Sequence, residues 1–100
     1  MAETQRFVRA DGADSQTRRV IQRLAANIHA VWIADNGHKH CRLVDVAPTG
    51  ARLKVRNPDE MPDIFRLYVP DFQMLYEVET RWRREGHIGV MFLRAWREER

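Results

Sequence analysis

Cysteine, serine and lysine are nearly missing from this 100-residue chain. Cys41 is the single cysteine, which excludes an intrachain disulfide and a zinc site built from several thiolates. Ser15 is the single serine, set in a charged, turn-forming lead-in with no base beside it. Serine-nucleophile chemistry therefore has no footing, and no paired carboxylates form a recognisable catalytic motif. The reading is of a protein that is not an enzyme. No apolar run approaches the roughly 18 residues of a membrane helix. Met1–Ala10 lacks the apolar stretch of a secretory signal, so a soluble cytoplasmic domain is expected. Of the 17 basic residues only Lys39 and Lys54 are lysine; the other 15 are arginine.

What remains is a globular composition. Hydrophobic residues make up 44% and charged ones 31%, with a net charge of +3. The length suits one domain and not two. Residues 1–17 carry scattered charge without an apolar period and read as a flexible N-terminal lead-in. From Ala26 onward come short runs. Asn27–Ala34 is rich in β-branched and aromatic residues and ends at Asp35-Asn36-Gly37-His38. Asn36-Gly37 is a signal for a two-residue type I′ hairpin. In that register Trp32 faces Cys41, Ala30 faces Leu43 and Ile28 faces Asp45. Ile28, Ala30, Trp32, Cys41 and Leu43 then share one apolar face, opposite His29, His38, His40 and Arg42.

Ala51–Val55 alternates strictly, with Arg52, Lys54 and Arg56 on the polar side. Ile64–Val69 follows and is broken by Pro70-Asp71. Met74–Trp82 alternates again, placing Trp82 with Met74, Tyr76 and Val78 on the apolar side. Arg84–His87 is a turn, Ile88–Phe92 a last strand, and residues 94–100 a short C-terminal helical tail begun by Leu93 and Trp96 at i, i+3 spacing. Six strands this close together predict an all-β fold, a small six-stranded antiparallel barrel. Trp32 and Trp82 are expected in its core, and Trp96 over an open end. His38 and His40 share one strand face while Cys41 points to the other, so no metal site is expected there.

Two segments fall outside the strand pattern and carry specific chemistry. Arg18 to Arg23 precedes the first barrel strand, and Asp45 to Gly50 ends the second. The hairpin register puts both at one end of the sheet. Two or three arginines, a carboxylate and a glycine turn suit a guanine-bearing phosphate ligand. Guanidinium donates in pairs to guanine O6 and N7 or to phosphate oxygens, and a carboxylate accepts from guanine's donor edge.

R-x-x-x-R (Arg19, Arg23), 21 residues, then D-x-A-x-x-G (Asp45, Ala47, Gly50) resembles a PilZ domain. Gly50-Ala51-Arg52-Leu53, Thr80-Arg81-Trp82-Arg83 and Ile88-Gly89-Val90-Met91-Phe92 are similar to the rhythm of that family. The resemblance covers residues 18–93, the expected barrel domain. It implies a six-stranded β-barrel that receives the bacterial second messenger cyclic di-GMP, with no cofactor, and passes the signal to a downstream protein. By that resemblance Arg19, Arg23, Asp45 and Gly50 contact the ligand, with Arg18 as an auxiliary, and the arginine segment folds over the bound nucleotide. Ala47 stands where the family has serine, which removes one hydrogen bond, about 1 kcal/mol net. Pro48 removes a backbone donor. Two alternatives follow: a PilZ-like module that has lost the nucleotide and works through protein contacts, and a small basic nucleic-acid-binding barrel. The second is permitted by a pI near 9.6. It lacks exposed aromatics interleaved with the basic residues.

Overall fold

Residues 6–9 and 27–99 are described by the structure, a computed structural model. Seven strands form: β1 (Arg6–Arg9), β2 (Ile28–Ala34), β3 (Gly37–Ala47), β4 (Gly50–Lys54), β5 (Ile64–Val69), β6 (Met74–Arg84) and β7 (His87–Glu99). They pair antiparallel in the order β1-β7-β4-β3-β2-β5-β6, and β6 also pairs with β7. That last pairing closes β2–β7 into a six-stranded barrel and leaves β1 as an added strand. Closure removes the free edges that an open sheet of this size would expose.

The alternation in the sequence fills the barrel. Leu43, Val46, Leu53, Leu67, Val69, Tyr76, Val78 and Ile88 are all less than 2% exposed. Each such side chain contributes about 1.5–3 kcal/mol by leaving water. Trp32 is buried against Phe65, ring centroids 5.9 Å apart and edge to face. Tyr76 stacks on Phe92 at 4.4 Å. Its hydroxyl has no hydrogen-bond partner among the described residues, and burial raises the phenol above its ordinary range. On β4, Leu53 is buried while Arg52 and Lys54 are exposed, as the strict alternation predicts.

The β2–β3 hairpin keeps the expected faces in a different register. Ile28 pairs with Leu43, Ala30 with Cys41 and Trp32 with Lys39. Asp35-Asn36 is the loop, and Gly37 opens β3 at φ +133°. A type I′ turn needs positive φ at both loop residues, and neither Asp35 nor Asn36 has it. The slip is two residues, an even number, so every side chain stays on its predicted face.

Cys41 points into the core, where burial pushes its thiol up to about 12. Since the thiolate is the reactive form, native Cys41 is expected to resist iodoacetamide at about pH 8 and to label fully in urea. Labelling at equal rates in both states, followed by mass spectrometry, would refute the burial.

Both chain ends differ from expectation. Residues 94–99 are strand, not helix, because β7 runs to Glu99. Leu93 and Trp96 have helical spacing, but β6 presents Met74–Glu77 with backbone groups to satisfy. Arg97, Trp96, Ala95 and Arg94 pair with those four residues. Within the lead-in, Arg6–Arg9 are strand β1, paired to β7 from Trp96 to Glu99. Phe7 packs edge to face on Tyr68 at 6.0 Å, and the Tyr68 hydroxyl donates to the buried Glu98 carboxylate. The rest of the lead-in lies outside the described residues. No helix among the described residues is long and apolar enough to cross a membrane.

The opposite end is tied by Arg83. Its guanidinium donates to the carbonyls of Pro58 (3.1 Å) and Met61 (2.9 Å) and to the Asp63 carboxylate (3.0 Å). The Thr80 hydroxyl donates to the Pro62 carbonyl at 2.8 Å. These bonds hold the 58–63 loop across the barrel end.

Candidate functional site

Asp45 and Ala47 belong to β3 and Gly50 to β4, so the predicted turn segment is mostly strand. Only Pro48-Thr49 is turn, closed by the Ala47–Gly50 pair. Strict alternation would put Asp45 on the same face as the buried Leu43. A β-bulge between Leu43 and Asp45 resets the parity. Leu43 faces Leu53 inside the barrel, and Asp45 faces Arg52 outside it.

A second bulge, between Thr80 and Trp82 on β6, does the same on the far side. Thr80 pairs with the buried Val90, Arg81 is the extra residue, and Trp82 pairs with Gly89 on the outer face. Trp82 is therefore not in the core, as its spacing predicts, but 37% exposed. The two bulges produce one outward row across four strands: Asp45 (β3), Arg52 (β4), Gly89 (β7), Trp82 (β6). Directly opposite residues of paired strands point to the same side, so these groups line one open groove of about 450 Å³.

Gly89 and Gly50 shape this groove in different ways. A Cβ at Gly89 would lie 2.1 Å from the Trp82 indole, so the ring rests on the bare backbone of β7. The Arg84 guanidinium lies 5.3 Å from the ring centroid. A Cβ at Gly50 would lie 2.2 Å from the Val90 carbonyl oxygen, so glycine is needed for β4 to approach β7. Gly50 is not in the positive-φ region.

Asp45 and Arg52 face one another without an ion pair, and neither has another hydrogen-bonded partner among the described residues. Arg81 is held by Glu79 at 3.0 Å. Among the described residues the groove thus offers an unpaired carboxylate, an unpaired guanidinium and an indole. That set matches a planar heterocycle with donor edges and attached phosphate: carboxylate to the donor edge, guanidinium to phosphate or acceptor edge, indole to the ring face. Ala47 also lines it and brings no hydroxyl.

Of the predicted site residues, Asp45, Ala47 and Gly50 come together. Arg18, Arg19 and Arg23 lie outside the described residues. Arg52, Arg81 and Trp82 are not among the site residues expected from the sequence, which places Arg52 on a polar strand face and Trp82 in the core. The signal for Trp82 was Gly89, a glycine interrupting an apolar strand, which marks close approach by another group.

A model of the PilZ domain matches residues 17–100. No curated protein and no solved structure gives a match.

Proposed function

Because the chain belongs to the PilZ domain family, we propose that it is a receptor for cyclic di-GMP that holds the nucleotide in the outer-face groove. The observation that carries this reading is the bulge-set row of Asp45, Arg52, Gly89 and Trp82. Asp45 accepts from a guanine donor edge, and the Trp82 indole stacks on a guanine ring. Arg52 contacts phosphate or the O6/N7 edge. Arg19 and Arg23, with Arg18 beside them, supply the further guanidinium contacts that the family motif assigns. Gly50 keeps the β3–β4 turn close to β7, so the nucleotide meets backbone instead of a side chain. The chain acts by binding, not catalysis, in the bacterial cytoplasm where this messenger is made. Its output is a changed surface for a downstream protein.

Titration calorimetry of cyclic di-GMP into the wild-type protein is expected to give saturable heat. Ala47→Ser, which places a hydroxyl in the groove, is expected to bind equally or several-fold tighter, one hydrogen bond being worth about 1 kcal/mol. Absence of heat in both proteins at high micromolar ligand would sink the receptor reading in favour of a module working only through protein contacts. Comparable binding of an unrelated single-stranded oligonucleotide, falling steeply with salt, would point to a nucleic-acid-binding barrel.

A further inference from the structure

A second concave region on the outer face, of about 580 Å³, shares no residue with the groove. Asn27 and His29 line it from β2 and the residue before it, His40 and Arg42 from β3, and Lys54 and Arg56 from β4 and beyond. His29, Arg42 and Lys54 are successive cross-strand partners, so their side chains project to the same side. Among the described residues no carboxylate lines the region. Arg42, Lys54 and Arg56 are exposed and enter no ion pair among the described residues. Elsewhere on this surface Arg81, Arg83, Arg94 and Lys39 each have a carboxylate partner.

Like charges placed directly opposite on neighbouring strands destabilise a sheet, and Arg42 opposite Lys54 is such a pair with nothing to offset it. The two imidazoles are organised as well. His29 and His40 stack at 4.9 Å, and His29 Nε2 lies 2.7 Å from His40 Nδ1. One of these nitrogens donates and the other accepts, so in either tautomer the neutral pair keeps one further N–H to offer a ligand.

We propose that this region is a binding site for a compact oligophosphate, such as the di- or triphosphate group of a small molecule. Three fixed cations and a histidine pair spread over three strands, two interstrand steps or about 10 Å, match the length and charge of a short phosphate chain. A phosphodiester strand is a poorer fit. Single-strand binders interleave aromatic platforms with their cations, and among the described residues no Trp, Tyr or Phe lines this region. The site is independent of the cyclic di-GMP reading, since Arg42 and Lys54 lie on the far side of the inward Leu43–Leu53 pair from Asp45 and Arg52.

The test is calorimetric titration with sodium tripolyphosphate, pyrophosphate and orthophosphate. Affinity is expected to rise in the order orthophosphate, pyrophosphate, tripolyphosphate. Arg42→Gln/Lys54→Gln, both exposed positions, should weaken tripolyphosphate by about tenfold or more. The same variant should keep the wild-type response to cyclic di-GMP, whatever that response is. Arg56→Gln gives a second, independent weakening. No binding of tripolyphosphate, or equal binding by wild type and both variants, overturns the site. Tighter binding of an oligothymidylate than of tripolyphosphate, lost in the double variant, overturns the compact ligand in favour of a nucleic-acid strand.

Discussion

Gly50→Ala is expected to destabilise the barrel by about 3 kcal/mol, the upper part of the range for overpacking, lowering the melting temperature by roughly 15 °C. The added methyl would sit 2.2 Å from the Val90 carbonyl oxygen and 3.3 Å from the Met91 Cα. Both neighbours are backbone, so no side chain can swing aside. Gly50 pairs with Met91 and Ala51 with Val90, and the Phe92 amide donates to the Thr49 carbonyl at 2.9 Å. Relief therefore requires β4 to separate from β7 where the barrel seam and the Pro48-Thr49 turn meet. Gly37 provides the control, since a Cβ there meets nothing within 4 Å and only its φ of +133° opposes substitution. Gly37→Ala should cost less. Thermal and urea denaturation followed by circular dichroism will measure both. A Gly50→Ala midpoint within a few degrees of wild type would show that the seam yields more easily than the geometry implies.

Gly89→Ala is expected to have the opposite profile: a small loss of stability and a large loss of cyclic di-GMP affinity. Here the nearest atoms to the new methyl belong to the Trp82 indole, at 2.1 Å. Trp82 is 37% exposed and free to rotate outward, so the fold can absorb the clash. The groove cannot. With the indole displaced, the stacking wall opposite Asp45 and Arg52 is lost. Base–aromatic stacking is worth about 1–3 kcal/mol per base, so affinity should fall by about tenfold or more. Arg23→Ala, titrated in parallel, is expected to bring near-complete loss, because guanidinium contacts to phosphate and guanine are charge-assisted. Wild-type affinity in a folded Gly89→Ala protein would remove Trp82 from the site while leaving the arginine contacts to be judged on their own variant.

The paired glycines show which parts of this molecule are written locally. The alternation of Ala51–Val55 predicts a strand with the correct inward face, since a period of two is a property of the backbone itself. The two-residue slip of the β2–β3 hairpin left those faces intact for the same reason. The R-x-x-x-R and D-x-A-x-x-G spacing carries the family, and Asp45, Ala47 and Gly50 line one groove.

Other features depend on a partner strand. The bulges that leave Val44 and Arg81 unpaired have no signature in β3 or β6 alone; they arise where those strands must match β4 and β7 around a closed barrel. Each bulge turns the chain by one position. The first sends Asp45 out of the core, and the second moves Trp82 from an apparent core position to the groove wall. Leu93–Glu99 has local spacing suited to a helix, and the backbones of β6 and β1 make it strand. The sequence by itself determined the fold class, the strand faces away from the bulges, and the family. The tertiary structure decided which side chains line the groove, because a change of parity costs little within one strand and is set by the register of the next.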